Sequence, residues 1–439
     1  VITSPAFAGK SYAVLGLARS GLATVEALLA SGARVTAWDG KEEARAALAD
    51  RHPSPKPLPE AEGFLSFADP LDLDLTGFAG VVVSPGVPLN RHPIAARAAQ
   101  FGVPLIGDIE LFAQARPVLP PHKVVGITGT NGKSTTTALI THILETAGIP
   151  ALMGGNIGLP IMGRDPLPAG GVYVLELSSY QIDLTFSLDC DVAVLTNITP
   201  DHLDRYDGFE GYAASKARLF EMQSPGRAAI IATEDGPSRA IAAKLDHVLA
   251  VNSGQASGQE KWPALQGPHN AQNAVIAIAA ARALGIAEAA IEQGLATYPG
   301  LPHRMQRIAE KNGILFINDS KATNATATAP ALGAYPKIHW ILGGLPKTND
   351  LDDCAPYFDH VLAGYTIGQA GPMFAAILRD AGKPVTESGT LDHAVADAAR
   401  AARSGEVVML SPACASFDQF SDYEARGDAF RRAVEGLSL

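Results

Sequence analysis

The stretch Gly126-Ile127-Thr128-Gly129-Thr130-Asn131-Gly132-Lys133-Ser134-Thr135 decides how this chain is read. It follows an apolar, strand-like Lys123-Val124-Val125 and opens a helix-like run from Thr136 to Ala147. Glycines let a backbone wrap closely around phosphates and turn its N–H groups inward. A lysine at position 133 can reach terminal phosphates, and the Ser134 hydroxyl can ligate Mg²⁺. The strict phosphate-loop pattern asks for glycine at Ile127; here the glycines fall at 126, 129 and 132. Gly-Lys-Ser between a strand and a helix still predicts a phosphate loop, of a variant type.

The bulk composition sets the limits around this site. At 439 residues the chain is long enough for about three domains, each with its own core. A formal charge of -11 argues against nucleic acid as a partner, because phosphate backbones need a basic surface. Three cysteines (Cys190, Cys354, Cys414) without metal-ligand spacing fit a reducing compartment and a fold without disulfides. No leader-like basic and apolar segment and no apolar run of membrane-spanning length is visible. A cytoplasmic protein, monomeric and without a membrane partner, is expected.

Three α/β units follow one another. The first reads strand Ser11 to Leu15, turn Gly16-Leu17-Ala18-Arg19-Ser20-Gly21, helix Leu22 to Ala30, then strand Arg34 to Trp38 ending at Asp39. This is a Rossmann-type pattern with Ala18 at the middle glycine. It suits a nucleotide diphosphate at the helix N-terminus, or a βα turn without a ligand. A strand over Gly80 to Val83 runs into the turn Ser84-Pro85-Gly86-Val87-Pro88. Pro117, Pro120 and Pro121 mark a boundary near residue 116, and Tyr298-Pro299-Gly300-Leu301-Pro302 marks a second. The middle unit has strands over 172–177, 192–196 and 228–232 and a helix over 271–284; the third has strands over 314–318, 338–342, 360–364 and 406–410. The expected fold is α/β in three domains. A Rossmann-like domain covers 1–115, a P-loop ATPase-type parallel or mixed sheet 116–300, and a second Rossmann-like domain 301–439.

Candidate chemical groups cluster at strand ends. Glu176, in Leu175-Glu176-Leu177-Ser178-Ser179-Tyr180-Gln181, ends an apolar strand, where a carboxylate needs a partner or a metal. His202 sits in the polar run Asn197-Ile198-Thr199-Pro200-Asp201-His202, which suggests a metal or phosphate role. Lys216 lies on a helix-like run and by itself reads as a solvated lysine. The third unit adds His303-Arg304, Asn318-Asp319-Ser320-Lys321-Ala322-Thr323-Asn324, Gly343-Gly344 with Lys347, and Ser411-Pro412-Ala413-Cys414-Ala415-Ser416-Phe417-Asp418. Cations and hydroxyls gathered there suit an anionic substrate and a phosphoryl group in transfer. Cys414 reads as a packing residue, since no local base supports a nucleophile.

Together these motifs resemble the Mur ligase family over nearly the whole chain. Gly-Thr-Asn-Gly-Lys-Ser-Thr is similar to the loop of the wider family, folylpolyglutamate synthases included. Leu-Glu-Leu-Ser-Ser-Tyr-Gln, Asn-Asp-Ser-Lys-Ala-Thr-Asn and Ser-Pro-Ala-Cys-Ala-Ser-Phe-Asp-Gln-Phe resemble its D-glutamate-adding branch. The resemblance implies an ATP-dependent amide ligase of peptidoglycan precursor synthesis, joining D-glutamate to UDP-N-acetylmuramoyl-L-alanine through an acyl phosphate and a tetrahedral intermediate. A folylpolyglutamate synthase-like ligase and a non-catalytic nucleotide-binding regulator are the competing readings.

The resemblance also implies roles. Gly129, Thr130, Asn131, Gly132, Lys133, Ser134 and Thr135 would hold ATP phosphates, with Asn270 and Asn273 near adenine and Arg304 and Asp319 on the nucleotide. Two Mg²⁺ sites would use Ser134, Glu176, His202 and a carbamylated Lys216, so that Lys133, Glu176, His202 and Lys216 form the catalytic set. Leu17, Ala18, Arg19 and Ser20 with Asp39, Gly40 and Lys41 would hold UDP, and Asn156 the muramoyl part. Lys321, Thr323, Lys347, Ser416 and Tyr423 would hold D-glutamate. The chain departs from the family at Ala18, at Tyr423, at Gly344-Leu345-Pro346-Lys347, and in a short segment from Val251 to Gly267.

Overall fold

The computed structural model describes residues 1–52, 64–201 and 205–437. It contains three sheets. The first is parallel, in the order β3-β2-β1-β4-β5, from β1 (Ser11–Leu15), β2 (Arg34–Trp38), β3 (Leu65–Phe67), β4 (Phe78–Val83) and β5 (Leu105–Ile106). The second consists of β6 (His122–Thr128), β7 (Ala151–Gly155), β8 (Gly171–Glu176), β9 (Val192–Leu195), β10 (Ala228–Ala232) and β11 (Leu249–Val251). It is also parallel, in the order β11-β10-β9-β6-β8-β7. The third contains β12 (Gln306–Lys311), β13 (Ile314–Asn318), β14 (Ile338–Gly343), β15 (Val361–Ile367), β16 (Val385–Gly389) and β17 (Val407–Leu410). Its order is β12-β13-β17-β14-β15-β16, parallel except for the antiparallel edge strand β12.

The central strands are continuous apolar runs because helices cover both faces of a parallel sheet. Every residue of β8, β9 and β14 is buried. The half-exposed β2 instead alternates Val35 and Ala37 inward with Thr36 and Trp38 more exposed, the period-2 signature of a strand with one wetter face.

The chain divides into two compact units, 1–252 with 275–294, and 253–274 with 295–439. In the first unit, one hydrophobic core runs from Val14, Val25 and Phe112 to Val124, Tyr173 and Leu195, so the first two sheets share it. The proline-punctuated stretch between them is held firmly. A helix Asp108–Ala115 continues into a 3-10 turn Arg116–Val118, and the Arg116 Nη1 donates to the Asp189 carbonyl at 2.6 Å. The buried Glu110 accepts the amides of Phe186 and Ser187 at 2.7 and 2.9 Å and the Ser187 hydroxyl at 2.8 Å. In the second unit, helix Tyr423–Glu435 packs Phe430 and Val434 against β13 and β17.

Register brings separate motifs together. In the second sheet Ile127 pairs with Glu176 on one side of β6, and Thr128 with Leu195 on the other. The residues that follow all three strands therefore emerge at one level, at the sheet edge where doubly wound folds bind ligands. In the third sheet Asn318 and Ile341 both pair with Leu410. The turns after β13, β14 and β17 converge in the same way.

Candidate active site

The glycine loop expected to hold phosphate joins the end of β6 to the start of helix Lys133–Thr146. Gly129 has φ 143°, and a Cβ there would lie 1.9 Å from Thr196 Oγ1; Gly132 caps the helix in the left-handed region at φ 82°. Both positions require glycine. Gly126 serves packing instead: a Cβ would meet Cys190 Sγ at 2.7 Å. No side chain caps the helix N-terminus, so its first-turn amides and dipole are arranged for an anion.

The loop after β9 grips this turn. The Asn131 amide donates to Asn197 Oδ1 at 2.9 Å, and Asn197 Nδ2 returns a bond to the Asn131 carbonyl at 3.1 Å. Thr196 Oγ1 donates to the same carbonyl at 2.6 Å, while the Thr199 amide donates to Thr130 Oγ1 at 3.0 Å. The polar run read in the sequence as a metal or phosphate cluster thus carries the loop's own framework. Its His202 lies outside the described residues.

Two lysines meet one carbonyl. Lys133 Nζ donates to the Gly129 and Thr130 carbonyls at 3.0 and 2.9 Å, and Lys216 Nζ donates to Gly129 at 2.8 Å. Lys216 is 1% exposed, its Nζ 4.5 Å from the Tyr212 ring centroid. The expectation of a solvated lysine, drawn from its local sequence, is therefore wrong. Helix Gly208–Glu221 turns residues 212, 215, 216 and 219 inward at helical spacing, and Lys216 lies on that face. Burial, reinforced by the Lys133 charge, pulls its pKa down to about 7 against the opposing pull of Asp201 and Asp183. Tyr212 completes the contact, its hydroxyl 3.2 Å from Thr130 Oγ1.

Glu176 is 3% exposed. Its Oε1 accepts Asn156 Nδ2 at 2.9 Å, and the Asn156 amide donates to the Glu176 carbonyl at 2.8 Å. Its Oε2 is buried without a hydrogen-bond partner. Leaving a carboxylate oxygen so costs free energy unless a ligand completes it. A carboxylate oxygen of this kind suits a hard divalent cation.

In the N-terminal turn, Gly16 has φ 91°, and a Cβ at Gly21 would lie 1.8 Å from the Gly16 carbonyl oxygen. Ala18 has φ -69° and ψ -173°, which any residue adopts, so the missing middle glycine costs the turn nothing. Asp39 Oδ2 accepts the Leu17 amide at 2.7 Å and Oδ1 the Lys41 amide at 2.9 Å. This carboxylate organises the turn containing Leu17, Ala18, Arg19 and Ser20 and the adjoining Gly40 and Lys41.

In the second unit, Asp319 is buried with Oδ2 accepting Ser411 Oγ at 2.7 Å and Oδ1 the Met305 amide at 3.1 Å. Desolvation lifts its pKa to about 7, against these two bonds and Arg304. Lys347 Nζ donates to Thr323 Oγ1 at 3.1 Å, and Lys321 Nζ lies 3.8 Å from the Tyr423 ring centroid. Ser416 is buried in the loop whose Ala415 exchanges two backbone bonds with Leu345. Asn273 Nδ2 donates to Asn270 Oδ1 at 3.2 Å on helix Pro268–Ala283. Arg426, which sequence reasoning missed, is 1% exposed and donates to the Ser320 hydroxyl and carbonyl and to the Cys414 and Ala415 carbonyls. It fastens the turn after β13 to the loop after β17. Nothing in Tyr-Glu-Ala-Arg distinguishes it from a surface arginine.

Comparison with known proteins supplies the family. The Mur ligase middle domain matches residues 127–265 and the Mur ligase glutamate ligase domain residues 303–414. The UDP-N-acetylmuramoylalanine--D-glutamate ligase of Novosphingobium aromaticivorans is 65% identical, covering 100% of this chain and 97% of that protein. The chain belongs to the Mur ligase family. The enzyme of the same name from Zymomonas mobilis is 61% identical over 100% of both chains. Solved Mur ligases share the fold at low identity. MurC of Thermotoga maritima has 17% identity and a TM-score of 0.57 over 97% of this chain and 99% of its own. MurF of Acinetobacter baumannii has 19% and 0.58 over 97% and 91%. As a Mur ligase the protein is an ATP-dependent enzyme that forms C–N bonds.

Proposed function

We propose that this Mur ligase joins D-glutamate to UDP-N-acetylmuramoyl-L-alanine in peptidoglycan precursor synthesis, as the names of its 61–65% identical relatives suggest. The observation that carries the chemistry is the convergence of Lys133 and Lys216 on the Gly129 carbonyl, in the sheet where Glu176 is level with Ile127. A carboxylate is a poor electrophile. Its oxygen attacks the γ-phosphorus of ATP, ADP leaves, and an acyl phosphate forms. The amine nitrogen of D-glutamate then attacks the acyl carbon, and phosphate departs from the tetrahedral intermediate as the amide forms and the amine proton is lost. Lys133 and the amides of residues 129–135 orient the β- and γ-phosphates and offset their charge as it shifts.

Mg²⁺ would be held in this proposal by Ser134 and Glu176 at one site and by His202 at a second, with carbamylated Lys216 as a further anionic ligand. When bound it supplies charge neutralisation on the phosphate oxygens. A pKa of about 7 supports carbamylation, because the neutral amine is the form that adds CO₂. The resulting anion answers the chemistry of a cation site where an ammonium would repel.

The rest follows the sequence reading. Residues 1–115 take UDP through Leu17 to Ser20 and Asp39 to Lys41, with Asn156 on the muramoyl part. Residues 116–300 hold ATP, with Asn270 and Asn273 on adenine. Residues 301–439 take D-glutamate through Lys321, Thr323, Lys347, Ser416 and Tyr423, with Arg304 and Asp319 on the nucleotide. A cytoplasmic monomer without nucleic-acid or membrane partners remains part of the proposal; the charge of -11 weighs against nucleic acid, and among the described residues no helix is long and apolar enough to cross a membrane.

The test is phosphate release from ATP with UDP-N-acetylmuramoyl-L-alanine and either enantiomer of glutamate. Release that needs both the nucleotide sugar and D-glutamate, with L-glutamate inert, is expected. Silence with both enantiomers refutes the assignment.

A further inference from the structure

The turn after β4 and the residues Tyr180 and Arg205 have no part in the chemistry above, yet they enclose one cleft within the first unit. Pro85, Val87, Leu89 and Asn90 form one wall, and Tyr180 and Arg205 stand in the other. The Arg205 guanidinium lies 4.3 Å from the Tyr180 ring centroid, a stacked cation–π contact. Tyr180 stacks in turn on Tyr206, with centroids 6.0 Å apart and planes at 13°. Tyr206 is pinned by its hydroxyl, which donates to Asp183 Oδ2 at 2.8 Å. Arg205 is thus held in place largely through its face. Its hydrogen bond across the cleft is a long one, from Nη2 to the Pro85 carbonyl at 3.4 Å. A guanidinium has five N–H donors in a planar fork, so donors remain for a ligand.

The cleft is also placed between two parts of the proposed site. Ser84 Oγ donates to the Gly16 carbonyl at 2.9 Å, so one wall begins beside the turn assigned to UDP. Tyr180 opens the other wall four residues after Glu176, on the short helix Ser179–Asp183. A substrate with its nucleotide on that turn and its carboxylate near Glu176 carries a sugar in between. Asp183 accepts the Tyr206 hydroxyl at 2.8 Å and the Ser215 hydroxyl at 2.7 Å and pairs with Arg218 at 3.7 Å. Arg205 is thus the one cation among the described lining residues, and a single guanidinium suits a neutral polar group better than a pyrophosphate.

We infer that this cleft receives the 2-acetamido group of the nucleotide sugar, with Arg205 donating to the acetyl carbonyl oxygen. Val87 and Leu89 offer apolar surface to the acetyl methyl. The inference rests on the ligase reading and makes Arg205 a specificity-determining residue for the sugar.

The test compares wild type, Arg205→Ala and Arg205→Lys on UDP-N-acetylmuramoyl-L-alanine and on an analogue with a 2-hydroxyl in place of the acetamido group. Wild type is expected to prefer the acetylated substrate by about 10- to 100-fold in kcat/KM, the range of one hydrogen bond to a charged donor. Arg205→Ala should lose a similar factor through KM for the acetylated sugar and lose nothing further on the analogue. KM for ATP and for D-glutamate should stay within about twofold, and Arg205→Lys should recover part of the preference. An Arg205→Ala enzyme that still prefers the acetylated sugar as wild type does overturns the inference. So does a parallel rise in all three KM values, which would mark a structural role. Wild type inactive on both sugars would instead refute the ligase reading, and the inference with it.

Discussion

Replacing Lys216 by methionine should make the protein more stable and inactive at once. A pKa lowered from 10.5 to about 7 corresponds to roughly 4 to 5 kcal/mol against holding the ammonium in place. At pH 7 about half of the molecules carry the neutral amine, where an ordinary lysine would be neutral in roughly one of 3,000. Methionine has no charge to desolvate. It loses the bond to Gly129, worth about 1 kcal/mol, but that carbonyl keeps Lys133 as a donor at 3.0 Å. Dividing the burial term by two to three to allow for its error leaves a net gain of about 0.5 to 1.5 kcal/mol, or roughly 1 to 6 °C in Tm for a domain of this size.

The sign with pH is fixed by the same shift. The unfolded chain keeps the lysine proton up to about pH 10.5, while the folded protein releases it near 7. Between those values the unfolded state holds more protons, so wild-type stability rises with pH by up to roughly 1.4 kcal/mol per unit from this group. The advantage of the methionine variant should therefore be greatest at and below pH 7, narrow steadily above it, and vanish only near pH 10. Thermal melts of both proteins from pH 6.5 to 9.5 in CO₂-free buffer measure this. Labelled bicarbonate should add a carbamate carbon signal to wild type alone. A methionine variant that is less stable at pH 7, or a gap that does not narrow with pH, refutes the argument from burial. Full ligase activity in the variant refutes the catalytic role.

Lys133→Ala should reduce turnover by at least about 10³-fold, since charge on the transferring phosphoryl group is lost; near-normal phosphate release would sink the loop assignment. Gly129→Ala places a Cβ where Thr196 Oγ1 lies 1.9 Å away, at φ 143°, and should cost more than about 2 kcal/mol; a melting point within 1 °C of wild type would contradict the geometry. Asp319, raised from 3.8 to about 7, binds its proton more tightly folded than unfolded. Its contribution to stability is therefore present below about pH 4 and is lost as pH rises through 7. Asp319→Asn should flatten that slope, and calorimetric melts at pH 5 and 8 would show whether it does.

Much of the fold was legible because central parallel strands are buried on both faces and read as unbroken apolar runs. The strands over 11–15, 34–38, 228–232 and 314–318 fall where the sequence places them. Edge strands escaped the same reasoning. β7 is Ala-Leu-Met-Gly-Gly and β16 is Val-Thr-Glu-Ser-Gly, half-exposed segments whose pairing is supplied by a neighbour rather than by their own pattern. β12, Gln-Arg-Ile-Ala-Glu-Lys, is a charged antiparallel edge of the kind that discourages further pairing.

The sequence by itself determined the glycine turn between β6 and the helix after it, the carboxylate ending β8 and the α/β alternation, because each rests on local chemistry: glycines before Gly-Lys-Ser, an acid after an apolar run, a period that switches between 2 and 3.6. Only the tertiary structure decided what depends on residues far apart in the chain. It buried Lys216 on the Gly129 carbonyl, 87 residues away, and so turned an ordinary helical lysine into an amine with a pKa of about 7. It closed Asn197 on Asn131 and Arg426 on Ser320 and Cys414. Burial and electrostatic coupling arise from packing between elements, and no window of sequence contains them.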